Sequence, residues 1–186
     1  MSTTLQRIAY SPLWLLLHAV ALLPFGALYA LSDALAWVAA SVVRYRRRLV
    51  EANIAAAFPD KTEAERRDIV KRFYRNFTDV FVETIKLLHI SDDEMRRRMV
   101  FEDIEHVERI AKDGRSIGLY CSHFGNWEWI TSITLWVYRA DNVEYSQVYR
   151  PLRNKWFDRF WFNLRKRFHS TSIPKNGVLR ALLQAR

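Results

Sequence analysis

The stretch GRSIGLYCSHFGNWEWITSITLWVY, residues 114–138, decides the fold class of this chain. Its first part is a short apolar run between Gly114 and Gly125, which is typical of a buried strand. From Asn126 onward the apolar residues return to helical spacing. Because Gly125 lets the backbone turn tightly, the stretch predicts a strand followed directly by a helix.

The same alternation continues toward the C-terminus. VEYSQVY, residues 143–149, predicts a second strand, and NKWFDRFWFNLRKRF, residues 154–168, predicts a helix. A last helix is expected to begin near Asn176 or Gly177. Strands that alternate with helices favour an α/β fold with a mostly parallel sheet flanked by helices.

The preceding segment is helical in pattern. Residues 53–88 predict two helices separated by Phe58, Pro59 and Asp60. Thr62 with Glu65 three residues later forms a capping-box pattern at the start of the second helix. Behind it, apolar residues recur at helical spacing and predict one packing face. They are Ile69, Phe73, Phe77, Val80, Phe81, Ile85 and Leu88.

The N-terminal segment is predicted to be a membrane anchor, residues 1–43. Residues 8–43 contain no Lys or Arg, and about 20 apolar residues suffice for a helix to cross a bilayer. Pro24 and Gly26 interrupt the run, which favours a kinked or partly re-entrant helix as much as a straight one. The arginines of RYRRR, residues 44–48, predict that the remainder is cytoplasmic. A cleaved signal peptide and a buried helical hairpin of a soluble protein are the alternatives.

Basic residues are concentrated in the last quarter of the chain. Lys and Arg number 29 against 20 for Asp and Glu, and the net charge is +9. Ten basic and three acidic residues lie between Asp141 and Arg186. Such a surface attracts phosphorylated substrates, anionic lipid, acidic proteins or nucleic acid. No nucleic-acid motif is present and the hydrophobic N-terminus argues against that class, so no nucleic-acid partner is expected.

The predicted helix over residues 154–168 has a broad aromatic face. Aromatic residues combined with basic ones suit a helix in the membrane interface, although an ordinary amphipathic helix on a sheet has the same pattern. The face comprises Trp156, Phe157, Phe160, Trp161, Leu164 and Phe168.

His123 and Glu128 are the candidate catalytic pair. The carboxyl ends of strands are where open α/β sheets bind ligands, and His123 is expected there. Asn126 is a good helix N-cap, which places Glu128 in the first helical turn. If the two side chains converge, the carboxylate orients the imidazole and the imidazole removes a proton from a hydroxyl. A capping Asn–Glu pair beside a half-buried histidine is the alternative, and too few ligands are present to predict a metal site.

HFGNWE, residues 123–128, resembles the His-x4-Glu signature of the bacterial lipid A biosynthesis acyltransferases, within the lysophospholipid acyltransferase superfamily. The resemblance extends upstream to RRLVEANIAAAFP, residues 47–59. Downstream it includes VYRPLRNKWFD, residues 148–158. It implies an acyltransferase-like fold, with residues 44–186 forming a partial acyltransferase domain that is incomplete at its C-terminus.

The resemblance implies transfer of a fatty acyl chain from acyl carrier protein, or coenzyme A, to a hydroxyl of a phosphorylated lipid A precursor. The expected location is the cytoplasmic face of the bacterial inner membrane. His123 would be the base, Glu128 its support, and Arg150 a contact for phosphate or oxyanion. The remaining substrate-binding residues implied by the motif are Asn126, Asn154 and Asp158.

No cofactor, metal or covalent acyl-enzyme is expected from the resemblance, and Cys121 is interpreted as a buried strand residue rather than a nucleophile. Two alternatives stay open. The acceptor could be a lysophospholipid, an aminoacyl lipid or a phosphatidylinositol mannoside. The chain could also be a membrane-anchored interaction protein without catalysis.

Overall fold

The computed structural model describes residues 3–137 and 144–184. The chain divides into two compact units, one formed by residues 17–86 and the other by residues 1–16 with 87–186. Residues 43 and 44 both lie in the unit of residues 17–86, and the predicted division into residues 1–43 and 44–186 stays a prediction.

The described elements are mostly helical. In chain order they are α1 (Thr3–Leu22), α2 (Phe25–Trp37), a π-helical turn (Val38–Val42), α3 (Arg47–Ala57), α4 (Glu63–Lys86), α5 (Asp92–Arg98), α6 (Ile104–Lys112), a 3₁₀ helix (Trp127–Leu135), β1 (Ser146–Tyr149), α7 (Lys155–Arg165), a 3₁₀ turn (Lys166–Phe168), β2 (Thr171–Pro174) and α8 (Val178–Gln184).

The start of α4 shows the predicted capping box. The Thr62 backbone N–H donates to Glu65 Oε2 at 2.8 Å, and the Glu65 N–H donates to Thr62 Oγ1 at 3.3 Å. The bond from the Thr62 backbone, followed by those from Lys61 and the Thr62 hydroxyl, lowers the pKa of Glu65 to about 2. Because these bonds satisfy donors that the first turn leaves open, they fix where α4 begins.

Of the straight and interrupted helices that the sequence left open, the structure has the interrupted one, with a break between the end of α1 at Leu22 and the start of α2 at Phe25. The buried Lys86, the last residue of α4, lies at this break. Its Nζ donates to the carbonyl oxygens of Ala21 at 2.9 Å and Leu23 at 2.6 Å. Carbonyls at a helix C-terminus lack helical partners and favour a cation, so Lys86 stabilises the break.

Helix α2 packs along α4 through small and polar residues. Leu28, Ser32 and Ala36 are buried on one side of α2. The Ser32 hydroxyl donates to Thr78 Oγ1 at 3.0 Å, and Ala36 belongs to a core cluster with Tyr74. Together with the turn after it, α2 forms Phe25–Val42, the one described helix that is long and apolar enough to cross a membrane by length and composition.

The unit of residues 1–16 and 87–186 contains a parallel two-stranded sheet. β1 pairs with β2 from Ser146 opposite Thr171 to Tyr149 opposite Pro174, and α7 connects the two strands. This pairing agrees with the predicted parallel, helix-flanked sheet and with a strand inside residues 143–149. β2 was not predicted, because TSIP is too short and polar to give a strand pattern.

The predicted strand before His123 is wrong. Residues 115–122 form neither helix nor strand and are exposed, with Tyr120 99% accessible. A strand needs a neighbouring strand for its backbone hydrogen bonds and a cover for its apolar side chains, and among the described residues no strand pairs with this exposed segment. Cys121 is consequently exposed and not the buried strand residue that was predicted.

Replacing Lys86 with methionine tests the break between α1 and α2. Two carbonyls lose a charged donor, and we expect the free energy of unfolding to fall by about 1.5–3 kcal/mol. Urea denaturation followed by circular dichroism measures the change. Lys71→Met, at an exposed position of the same helix, is the matched control and should have little effect; equal effects of both variants would contradict the role of Lys86.

Candidate active site

His123 lies in an exposed loop just before the 3₁₀ helix. Gly125 has a φ of 56°, a conformation that glycine adopts at no steric cost, so the chain can reverse there into the helix. The His123 ring lies 5.0 Å from the Trp127 ring, centroid to centroid, at a tilt of 57°. The imidazole is therefore supported by an aromatic ring and open to an incoming substrate.

The carboxylate of Glu128 is held by Arg165, the last residue of α7. Arg165 Nε donates to Glu128 Oε2 at 2.9 Å, and Nη2 donates to Oε1 at 2.7 Å. The Arg165 and Glu128 side chains are only 19% and 14% exposed. Paired, parallel bonds of this kind fix the orientation of both groups. The predicted convergence of Glu128 with His123 is absent from the described contacts.

Arg165 also connects the 3₁₀ helix to the sheet. Its guanidinium lies 5.8 Å from the centroid of the Tyr149 ring, at the end of β1. The backbone carbonyl of Arg165 accepts a hydrogen bond from Ser170 Oγ at 2.6 Å, just before β2. One side chain and its backbone therefore link the motif helix, α7 and the two strands.

Arg150 directly follows β1 and is exposed. The loop that contains it is fixed by two of the predicted substrate-binding residues. Asn154 Oδ1 accepts from the backbone N–H groups of Trp156 at 3.0 Å and Phe157 at 3.3 Å, which caps α7. Asp158 Oδ1 accepts from the backbone N–H of Leu152 at 2.7 Å.

Asn126 precedes the 3₁₀ helix, but its side chain does not cap it. The first turn is closed instead by the backbone, since the Trp129 N–H donates to the Asn126 carbonyl at 3.1 Å. The expected α-helix is thus a 3₁₀ helix, in which Trp129, Thr131, Ser132, Thr134 and Leu135 are buried.

An open groove of about 360 Å³ lies beside the capped start of α7. It is lined by Tyr10, Ser11, Trp14, Leu15 and Trp156. The Tyr10 and Trp156 rings stack with centroids 4.8 Å apart, and the Tyr10 hydroxyl accepts from Asn154 Nδ2 at 2.9 Å. Asn154 therefore joins the groove to the loop of Arg150.

Arg165 is the residue that the sequence analysis missed. Trp161 and Phe162 precede it by four and three residues, so its side chain shares a helix side with apolar neighbours. A cation at such a position needs a carboxylate partner when it is buried. That spacing was the available signal, although it does not identify Glu128 as the partner.

The sequence matches the family described as bacterial lipid A biosynthesis acyltransferase over residues 3–186. The chain belongs to this family. No solved structure gives a significant match.

Three relatives of this acyltransferase-family chain are named as lipid A biosynthesis acyltransferases or a myristoyltransferase. It is 24% identical over 147 residues to a lipid A biosynthesis acyltransferase of Haemophilus influenzae, covering 79% of this chain and 45% of that protein. It is 23% identical to lipid A biosynthesis acyltransferase 2 of Shigella flexneri, covering 76% and 44%. It is 20% identical to the lipid A biosynthesis myristoyltransferase of Escherichia coli K12, covering 75% and 42%. The chain therefore spans less than half the length of the curated relatives it matches.

Replacing Arg165 with lysine should destabilise the unit that contains the motif. Lysine keeps the charge but cannot make the two parallel bonds, and we expect a loss of about 1–3 kcal/mol in the free energy of unfolding. Chemical denaturation measures it. Arg159→Lys, exposed on the same helix, is the control; a loss no larger than that of the control would show that the paired geometry contributes nothing.

Proposed function

We propose that this chain contributes the catalytic motif of an enzyme that transfers a fatty acyl chain to a hydroxyl of a lipid A precursor. The donor would be a thioester of acyl carrier protein or coenzyme A, at the cytoplasmic face of the inner membrane. Membership of the lipid A acyltransferase family over residues 3–186 is the observation that carries the proposal.

His123 is proposed as the general base. It removes the proton from the acceptor hydroxyl as that oxygen attacks the thioester carbonyl, and it returns the proton to the sulfur when the C–S bond breaks. The exposure of the loop supports this role, since a bulky lipid acceptor can reach the ring. The acyl group passes directly between the two substrates, so no covalent acyl-enzyme forms.

Glu128 is proposed to support the base, as the family motif implies. The ion pair with Arg165 holds its carboxylate at a fixed position in the motif helix. Pairing with the His123 ring requires the loop of residues 123–126 to close toward this carboxylate when the acceptor binds. A loop that contains Gly125 can make such a change without steric cost.

Arg150 is proposed to bind a phosphate of the acceptor or the oxyanion that develops on the thioester carbonyl. A guanidinium suits both groups because its donors match paired oxygens. Asn154 and Asp158 hold the loop around Arg150, and their contacts support a positioning role beside the predicted substrate binding. Asn126, at the start of the motif helix, stays a predicted substrate-binding residue.

The reaction itself tests the role of His123. Membranes carrying the chain are supplied with labelled acyl carrier protein thioester and lipid A precursor, and the product is identified by mass. His123→Ala should lower the rate by about 100- to 10,000-fold, the usual contribution of a positioned base, while His106→Ala, an exposed histidine of α6, should not.

Parallel reactions with lysophospholipid, in place of the lipid A precursor, separate the acceptors. Transfer to lysophospholipid alone would favour the wider superfamily activity. The same reactions are repeated with a coenzyme A thioester as donor. Absence of transfer from either thioester to any acceptor would favour a membrane-anchored protein without catalysis and contradict the proposal.

Arg150→Ala should raise the KM for the phosphorylated acceptor about tenfold or more while leaving the KM for the acyl donor unchanged, since one charge-assisted contact is lost. Arg153→Ala removes a second exposed arginine of the same loop and controls for net charge. Equal changes in both variants would indicate general attraction by the basic surface and not a contact at Arg150.

A further inference from the structure

The unit of residues 17–86 contains an antiparallel pair of helices with chemically different sides. α2 and α4 run in opposite directions, because Tyr29 contacts Glu83 whereas Asp33, further along α2, contacts the earlier Arg75. One side of each helix packs against the other helix, and the pair therefore has two flanks that do not take part in this packing.

One flank of the pair is polar. The Tyr29 hydroxyl donates to Glu83 Oε1 at 2.8 Å. Arg75 donates from Nε to Asp33 Oδ1 at 2.7 Å and from Nη2 to Oδ2 at 3.2 Å. The Arg75 and Asp33 side chains are about half exposed, so this flank is accessible to water.

The opposite flank is apolar and aromatic. At about 100° per residue, Leu31 and Leu35 lie on the side of α2 away from Asp33. The same geometry places Phe73, Phe77 and Phe81 on the side of α4 away from Arg75. The phenylalanines form a ladder, with Phe77 stacked on Phe73 at 6.0 Å and in edge contact with Phe81 at 5.0 Å between ring centroids.

The apolar surface continues past the end of α2. Val38, Val42 and Val43 are exposed. Tyr45 follows them and stacks on Phe77 with centroids 5.7 Å apart. Four arginines lie next to this surface in the sequence, at positions 44, 46, 47 and 48.

A transmembrane position of Phe25–Val42 is incompatible with this packing. Asp33 lies in the middle of that segment and is bound to Arg75 of α4. Inserting α2 across the hydrocarbon would carry this ion pair and Glu83 into it, and charged groups there are costly unless they are enclosed. The exposed ion pair is not enclosed by the rest of the unit.

We propose that the α2–α4 pair lies flat on one leaflet of an anionic bilayer, with its apolar flank in the headgroup–acyl boundary, and that Phe25–Val42 does not cross the membrane. Helices with one apolar side and basic residues bind in this way. Tyr45 is a residue type that favours the interface, and the neighbouring arginines attract anionic headgroups. This proposal does not depend on the proposed reaction.

Cysteine labelling tests the topology. In a Cys121→Ser background, Gly26→Cys introduces a thiol at the start of α2, where a Cβ meets no other atom within 4 Å. A membrane-impermeant maleimide should label it in permeabilised bacterial spheroplasts and not in intact ones. Labelling in intact spheroplasts, or in neither preparation, would place the start of α2 outside or within the bilayer and overturn the proposal.

Vesicle binding tests the docking surface. Leu35→Glu, at an exposed position on the apolar flank, should reduce partitioning of the full chain to vesicles of phosphatidylglycerol and phosphatidylethanolamine by about ten- to hundredfold, the effect of losing one large apolar contact. Ala64→Glu adds the same charge at an exposed position eleven residues before Arg75 and therefore on the polar flank. Equal partitioning of both variants, with circular dichroism unchanged, would overturn the docking surface.

Discussion

The ion pair between Glu128 and Arg165 is the interaction on which the motif region depends. This ion pair joins the 3₁₀ helix to the end of α7. The contact of Arg165 with Tyr149 extends the connection to the first strand. A 3₁₀ helix has poorer hydrogen-bond geometry than an α-helix and is rarely as long as Trp127–Leu135. Burial of its side chains and this external contact compensate for that weakness.

The same pair changes how the motif is interpreted chemically. A carboxylate five residues after a histidine suggests a direct hydrogen bond between the two side chains. In the structure the carboxylate of Glu128 is instead bound by Arg165, 37 residues further along the chain. The arginine fixes the position of the carboxylate, and Gly125 has the positive φ at which the chain turns into the helix. In the proposed mechanism it is therefore the histidine, and not the carboxylate, that moves.

In residues 17–86, buried polar contacts add to the apolar core of Ala36, Val50, Ile54 and Tyr74 in arranging the helices. Ser32 meets Thr78 in the interior, and Lys86 binds the carbonyls that the break at Leu23 leaves open. Other apolar residues of the same helices, such as Leu35 and Phe81, are exposed. An exposed apolar flank of this kind favours a lipid surrounding.

The sequence by itself determined the local features of this chain. The capping box of Thr62 and Glu65, a strand within residues 143–149 and the family-specific motif all depend on neighbouring residues, so short stretches are enough to predict them. The motif at residues 123–128, with the stretches at residues 47–59 and 148–158, sufficed to recognise the family, whose match extends over residues 3–186.

Only the tertiary structure decided which groups meet over long distances in the sequence. It pairs Glu128 with Arg165, Asp33 with Arg75, and Ser146–Tyr149 with Thr171–Pro174. It also leaves residues 115–122 exposed, although their apolar pattern is that of a buried strand. The physical reason is that a residue becomes buried or ion-paired only when another part of the chain packs against it. No local sequence pattern specifies which part of the chain that is.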